Sequence, residues 1–144
     1  MENSPTKLGV HLKVKSISNS LNFYKAFEFE PIFAYGSDSF LSQFKNIKTV
    51  SENYNGVDFK IGDALLELAE GHLAVKPEVF KEEINSSKVS IFLDVKSIDK
   101  VRETALNKGF EIAAEIREFP WGTREIVIKD PDGFIVVFRE FIKK

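Results

Sequence analysis

The chain contains no cysteine among its 144 residues. Disulfide bonds, thiolate metal ligands and cysteine nucleophiles are therefore excluded together. The absence is compatible with a reducing compartment, and we expect a cytoplasmic protein. The sequence also lacks a run of about 20 apolar residues, so it predicts no membrane span and no membrane partner. The stretch MENSPTKLGV has no apolar segment of the kind found in signal peptides.

A strong excess of one charge is also missing, because the formal net charge is −2 and the isoelectric point is near 5.8. Lysine and arginine are spread along the chain, which argues against a nucleic-acid partner. The length suits one domain of roughly 100–200 residues. The hydrophobic fraction of 43% is enough for a core, and 14 phenylalanines predict an aromatic-rich interior or an aromatic-lined pocket.

Motifs of several enzyme classes are absent as well. The sequence contains no Gly-x-Ser-x-Gly element, no phosphate-binding loop and no dinucleotide fingerprint. Its two histidines, His11 and His72, stand in different segments. General acid–base catalysis needs a base beside a second group, and neither histidine is part of such a pattern.

An internal repeat is the most informative positive feature. LKVKSIS at 12–18 recurs as LDVKSID at 93–99, and a helical segment follows each copy. Further along, GVDFKIGDALLEL at 56–68 parallels GTREIVIKDPDGFIVVF at 122–138, and in both a Gly/Asp turn separates two short strands. Each copy therefore predicts the order strand–helix–strand–strand–strand. Module one covers 7–70, a linker with a short helix covers 71–88, and module two covers 89–142, within a single domain.

Local signals indicate where these elements begin and end. Apolar and other residues alternate from Leu8 to Lys15, which is typical of a strand with one buried face. Ser18 or Asn19 is expected to cap the first helix, and Gly109 to end the second. The sequence from Asp130 to Gly133 matches a type I turn. Residues 36–54 have no counterpart in copy two and are expected to be irregular, either as a functional lid or as a disordered loop.

A duplicated βαβββ unit of this size resembles the vicinal oxygen chelate superfamily of glyoxalases, extradiol dioxygenases and fosfomycin- and bleomycin-resistance proteins. The resemblance is carried by LNFYKAFEF and by WGTREIVIKDPDGFIVVF, the second being most similar to the bleomycin-resistance branch. It implies an α+β fold in which two βαβββ modules, related by pseudo-two-fold symmetry, form a curled mixed sheet around a cavity. Such motifs mark the fold, so the chemistry has to be argued from the site.

The resemblance also implies where a metal would be held. In enzymatic members, four strand positions supply histidine and glutamate ligands to a divalent ion. Counting along the repeated strands places these positions at Gly9, Glu67, Ser90 and Val137, of which only Glu67 can bind an ion. His11, on the same face as Gly9, could add a second ligand, but two ligands would bind weakly. We therefore expect no metal and no other cofactor.

Trp121 is the sharpest candidate for contact with a ligand, because it stands between Pro120 and Gly122 at a strand entry. A tryptophan there can stack on a planar molecule, and the alternative is plain packing. Glu67 and His11 are candidates for polar contacts, the alternatives being an ion pair at a sheet edge and a structural histidine. No catalytic residue is predicted. The remaining candidates for ligand binding are Arg124, Phe92, Phe59, Tyr35, Phe44 and Tyr54.

These observations favour a metal-independent protein that binds a small planar or amphipathic molecule, as in drug or metabolite sequestration. The resemblance implies a homodimer with pockets at the subunit boundary. Bleomycin-resistance proteins bind a cationic glycopeptide through an acidic groove, whereas this chain is only mildly acidic. Two alternatives are a lyase or dioxygenase, using a metal or acid–base chemistry of His11 and Glu67, and an interaction module without a ligand.

Overall fold

The computed structural model describes residues 3–71, 82 and 87–142. The chain divides into two compact units, residues 1–82 and 83–144. Most of the predicted linker at 71–88, including its short helix, lies outside the described residues. Among the helices of the described part, none is long and apolar enough to cross a membrane.

Unit one contains a mixed sheet of five strands in the order β1-β5-β4-β2-β3. The pairs β1/β5 and β2/β3 are parallel, and the pairs β2/β4 and β4/β5 are antiparallel. Along the chain its elements are β1 (Gly9–Lys13), α1 (Ile17–Ala26), β2 (Pro31–Gly36), α2 (Asp38–Leu41), β3 (Lys48–Ser51), β4 (Gly56–Ile61) and β5 (Ala64–Ala69).

Unit two contains a four-stranded sheet in the order β6-β9-β8-β7, with β6 and β9 parallel. Its elements are β6 (Ser90–Asp94), α3 (Ile98–Lys108), β7 (Ile112–Phe119), β8 (Thr123–Lys129) and β9 (Ile135–Phe141). Unit two has the predicted order strand–helix–strand–strand–strand, and unit one has the same order with α2 and β3 inserted, so the α+β class is confirmed. Hydrogen bonding forms two mixed sheets, one in each unit.

Residues 36–54, predicted to be irregular, contain the short helix α2 and the strand β3. The Ser37 hydroxyl caps α2 by accepting a hydrogen bond from the amide of Phe40. β3 then pairs with β2 and becomes the edge of the sheet in unit one. Each element has only four residues, which is too short for a periodic pattern to show in the sequence.

One face of the sheet in unit one forms the core with α1. The buried residues Leu12, Leu66 and Leu68 alternate with more exposed neighbours along β1 and β5. Tyr24 of α1 places its ring 6.3 Å from Phe59 of β4 and 5.3 Å from Phe29. Burial of these apolar side chains contributes most of the stabilisation, at about 25 cal/mol per Å² removed from water.

The helix ends show where local sequence signals succeed and fail. Gly109 ends α3 in the left-handed conformation, as predicted. The cap of α1 is Ser16, whose hydroxyl accepts from the amide of Asn19, so the prediction of Ser18 or Asn19 is wrong. Those two residues lie in the first turn. The predicted turn from Asp130 is confirmed by a 3.0 Å bond from the Gly133 amide to the Asp130 carbonyl.

Helices α1 and α3 end with the same chain reversal but with different residues. Glu28 after α1 has φ 67°, and Gly109 after α3 has φ 72°. The amide of Phe29 donates to Tyr24 at 3.2 Å, and the amide of Phe110 donates to Ala105 at 2.9 Å. These bonds satisfy carbonyls that the helix end leaves open. Glycine adopts this conformation without strain, whereas a side chain costs about 1–2 kcal/mol.

Glu28→Gly should therefore raise the free energy of unfolding by about 0.5–1 kcal/mol, because relief of strain exceeds the entropy that glycine loses on folding. The matched substitution Gly109→Ala should lower it by about 1 kcal/mol. Equilibrium denaturation in urea measures both. A destabilised Glu28→Gly protein would contradict the argument.

Candidate functional site

Strand pairing brings three polar residues of unit one into one row across the sheet. His11 of β1 is paired with Glu67 of β5, and Glu67 is paired with Asp58 of β4. Paired residues project from the same face, and their neighbours along each strand project from the other. The neighbours Leu12, Leu66, Leu68, Val57 and Phe59 are buried. The row therefore lies on the face opposite the core.

Glu67 is the centre of this arrangement. Tyr35 of β2 donates a hydrogen bond of 2.7 Å from its hydroxyl to Glu67 Oε2. His11 Nε2 lies 3.5 Å from the other oxygen, Oε1, and the Glu67 side chain remains 20% exposed. We call the set His11, Lys13, Tyr35, Asp58 and Glu67 the Glu67 cluster. A partly exposed carboxylate held by neighbouring donors can still accept a hydrogen bond from a ligand.

Lys13 determines how His11 presents itself. Its Nζ lies 3.1 Å from His11 Nδ1. An ammonium group can only donate, so with Lys13 charged and His11 neutral this contact favours the tautomer that carries its hydrogen on Nε2, the atom that faces Glu67. Burial lowers the pKa of Lys13, and the negative charge of Glu67 acts in the opposite direction.

Asp58 is a second carboxyl group beside Glu67. Its Oδ1 is buried, and no donor among the described residues reaches that oxygen. Burial, followed by a hydrogen bond to Glu67 and repulsion from its charge, raises the pKa of Asp58 to about 7. Two carboxyl groups joined by a hydrogen bond tend to keep one proton between them. The cluster can therefore exchange a proton near neutral pH.

The register also tests whether the residues present fit the metal that the superfamily implies. Gly9 is paired with Leu65, and it is His11 that stands opposite Glu67; likewise Phe92, and not Ser90, stands opposite Val137. The positions that counting along the repeat placed on the first strands, Gly9 and Ser90, are paired with Leu65 and Ile135. Within the described residues, no group of three or more His, Asp or Glu side chains could hold an ion. The pair His11–Glu67 alone does not complete a divalent site, which usually needs at least three protein ligands.

Trp121 of unit two is 64% exposed and yet held in place. Its ring stacks on Phe119 with centroids 4.7 Å apart and planes 15° apart. Its indole nitrogen donates to Glu125 Oε2 at 3.0 Å, and the hydroxyl of Thr123 donates to the same oxygen. The residue lies at the tip of the β7–β8 hairpin, in a three-residue loop. An immobilised indole with an open face is suited to stacking on a planar group.

Two other predicted residues of unit two make internal contacts. Phe92 is exposed, and the Arg139 guanidinium lies 4.3 Å from its ring centroid. Arg124 donates to both carboxylate oxygens of Asp99, each at 3.2 Å, so it joins β8 to the first turn of α3. The Arg124 side chain is thus engaged in an internal ion pair.

The structure brings together only part of the predicted set. His11, Tyr35, Tyr54 and Glu67 adjoin one another, since the Tyr54 ring lies edge-on to Tyr35 with centroids 5.8 Å apart. Phe59 is fully buried on the opposite face, where its ring contacts Phe29 and Tyr24. Phe44 packs on Phe40, 5.3 Å between centroids, next to α2.

Sequence reasoning missed Asp58 and Lys13. The hairpin turn at Gly62 and Asp63 offered a signal for Asp58, because pairing Ile61 with Ala64 and counting outwards sets Asp58 opposite Glu67. Lys13 carries no comparable signal, since alternation along β1 places it on the right face but does not predict its contact with His11.

Comparison with known proteins gives the family. The model of the Glyoxalase/Bleomycin resistance protein/Dioxygenase superfamily matches residues 9–138. No curated protein sequence matches the chain significantly.

Solved structures agree in fold at low identity. A superfamily member from Sphaerobacter thermophilus is 21% identical with a TM-score of 0.63, covering 95% of this chain and 98% of its own. The fosfomycin resistance protein FosX from Listeria monocytogenes, complexed with Mn(II) and sulfate, is 17% identical with a TM-score of 0.62, covering 97% and 93%. A glyoxalase I mutant from Zea mays is 17% identical with a TM-score of 0.68, covering 94% of this chain and 45% of its own.

Asp58 should make stability fall as the pH rises. The unfolded chain loses this proton near pH 3.8, the ordinary value, whereas the folded chain keeps it to about pH 7. Between these values the folded state binds more protons, so its stability decreases with pH. Because the group is half exposed, solvent screening limits the loss to about 1–2 kcal/mol.

Asp58→Asn should flatten this dependence and be more stable than the wild type at pH 8. Urea denaturation at pH 5 and pH 8 measures the effect, and Asp63→Asn in the nearby exposed turn is the control. Equal pH dependence in the wild type and Asp58→Asn would contradict the assignment.

Proposed function

The chain belongs to the glyoxalase/bleomycin resistance protein/dioxygenase superfamily, and we propose that within it this protein binds a small molecule without a resident metal ion. One observation carries the proposal: Glu67, the carboxylate at an expected metal position, is held by Tyr35 and faced by His11. Hydrogen-bond donors of the protein thus supply the positive partners that an ion would otherwise supply.

The chemistry of the Glu67 cluster supports a ligand with a hydrogen-bond donor and a flat or apolar part. Glu67 offers an exposed acceptor, and His11 is 55% exposed beside it. The ring of Tyr35 adjoins the carboxylate, and the ring of Tyr54 packs edge-on against Tyr35 and extends the aromatic surface. Binding by such a surface needs complementarity and displaced water but no catalytic residue. Drug or metabolite sequestration is the function that this arrangement supports best.

Trp121 is proposed as a second ligand contact, in unit two. Its fixed orientation means that little side-chain entropy is lost when a planar group stacks on it. Its fluorescence would report that contact directly, because it is the only tryptophan in the chain.

An enzyme that uses acid–base chemistry is the second candidate. The observation that favours it is the Asp58–Glu67 pair, whose shared proton is exchangeable near neutral pH. Proton transfer to a ligand would make turnover depend on Asp58, whereas sequestration would not. Product formation from a bound molecule, lost in Asp58→Asn, would favour this candidate over sequestration.

Metal analysis and a fragment screen test the main proposal. Protein purified without chelator should contain less than about 0.1 divalent ion per chain. Planar fragments with N–H or O–H donors should bind saturably, followed by the NMR shifts of the Glu67 cluster. Glu67→Gln should weaken binding about tenfold, since it removes a charged acceptor.

Glu52→Gln is the matched control, because among the described residues this carboxylate is bonded only to the neighbouring amide of Asn53. One tightly held ion per chain would contradict the proposal. So would fragment affinities that are equal in the wild type and in Glu67→Gln.

We also propose that the chain forms a homodimer through the sheet of unit two. Phe92 of β6 and Phe141 of β9 are 63% and 58% exposed, an unusual exposure for large aromatic side chains. β7 is an edge strand that pairs with β8 alone. Apolar side chains and an open edge are the features that a second copy can cover.

Light scattering at micromolar concentration should give twice the chain mass of 16.4 kDa. The double variant Phe92→Ser, Phe141→Ser should shift the population to monomer, because it removes the apolar contact. Leu106→Ser, a change of an exposed leucine on α3, should not. A monomeric wild type would contradict the prediction.

A further inference from the structure

We propose that Gly56 and Lys13 determine the chemistry of the Glu67 cluster by committing its donor atoms to internal hydrogen bonds, which keeps divalent ions out. Gly56 does so by seating Tyr35 against Glu67, and Lys13 does so by fixing the ring hydrogen of His11. The inference rests on the proposed function and deepens it, because it names the residues that make the site a hydrogen-bonding one.

The seat of Tyr35 depends on the absence of a side chain at residue 56. Gly56 is paired with Tyr35 across β4 and β2, and a Cβ atom at 56 would overlap the tyrosine ring at Cζ and Oη. A second glycine backs this seat. A Cβ atom at Gly71 would overlap the ring of Tyr54, which lies edge-on to Tyr35.

Not every glycine of this face is so constrained. The nearest atoms to a Cβ at Gly9 would lie at 3.8 and 3.9 Å, which is ordinary contact. Gly56 and Gly9 both have backbone conformations open to other residues, so the requirement at 56 comes from the tyrosine ring and not from the backbone.

Tyr35 remains a donor over the whole physiological range. Burial, followed by its hydrogen bond to Glu67 and the negative charge there, raises the pKa of Tyr35 far above its usual value. The hydroxyl therefore keeps its proton and engages Glu67 Oε2 at 2.7 Å.

Lys13 determines which ring nitrogen of His11, the second potential metal ligand, carries the hydrogen. Donation from Nζ to His11 Nδ1 places the ring hydrogen on Nε2, the nitrogen 3.5 Å from Glu67 Oε1. A metal bound between His11 and Glu67 would need a free electron pair on Nε2, about 2.0–2.1 Å from the ion. In the tautomer favoured by Lys13, Nε2 carries the hydrogen and has no free electron pair to offer a metal.

Zinc is the probe that tests the inference, since it prefers imidazole and carboxylate ligands. The wild type should show no saturable Zn²⁺ binding below about 1 mM by calorimetry. The double variant Lys13→Met, Tyr35→Phe should bind at least about tenfold more tightly, because His11 and Glu67 are released together. Adding His11→Gln should abolish the gain.

Gly56→Ala distinguishes the position of the Tyr35 ring from the presence of its hydroxyl. In the Lys13→Met background it should increase Zn²⁺ affinity as Tyr35→Phe does, because the displaced ring takes its hydroxyl away from Glu67. Gly9→Ala in the same background should change nothing. In a Tyr35→Ala background, Gly56→Ala should have no further effect, since the ring it would meet is gone.

The outcomes separate this inference from the proposed function. Tight stoichiometric Zn²⁺ binding by the wild type would overturn both. A folded double variant without any gain, or a gain that survives His11→Gln, would overturn the inference alone. The ¹⁵N shifts of His11 in the wild type decide the tautomer without any substitution. They should show hydrogen on Nε2, and hydrogen on Nδ1 would overturn the inference.

Discussion

The hydrogen bond from Tyr35 to Glu67 is the interaction on which the organisation of the candidate site depends. It joins β2 to β5 across the intervening strand β4, and it exists because residue 56 of β4 has no side chain. The same carboxylate meets His11 from β1 on one side and Asp58 from β4 on the other. Glu67 of β5 thus meets side chains from three other strands. A shift of one residue in the register of any of these strands would move its cluster residue to the face that forms the core.

The two modules use one fold for different surfaces. At equivalent positions, unit one carries the pair His11–Glu67 and unit two carries the pair Phe92–Val137. In place of a polar cluster, unit two has aromatic and cation–π contacts. Arg139 lies over Phe92 and Phe141, and Trp121 stacks on Phe119. The backbone of a βαβββ unit is maintained by its buried face, so the exposed face is free to diverge. This separation allows one chain of the superfamily to carry a polar pair in one unit and an apolar pair at the equivalent place in the other.

Much of the fold could be predicted from sequence because its signals are repeated. The recurrence of LKVKSIS as LDVKSID identified the modules, and Gly109 identified a helix end through its backbone requirement. The site was less predictable, because it depends on register between strands that are distant in the chain. His11 and Glu67 were recognised as residue types, but their direct pairing across β1 and β5 follows only from the register. The role of Gly56 has no sequence signal, since it follows from where the Tyr35 ring lies.

The ¹³C shift of the Glu67 carboxyl carbon tests most directly whether this carboxylate binds a metal ion. Its ¹³C shift can be followed in the wild-type chain, selectively labelled at glutamate, while Zn²⁺ is added in equimolar steps. The ¹³C shift of Glu67 should stay unchanged, because Tyr35 holds the Oε2 oxygen and the Nε2 hydrogen of His11 points at Oε1. A shift that saturates at one ion per chain would show Glu67 to be a metal ligand and would contradict the account.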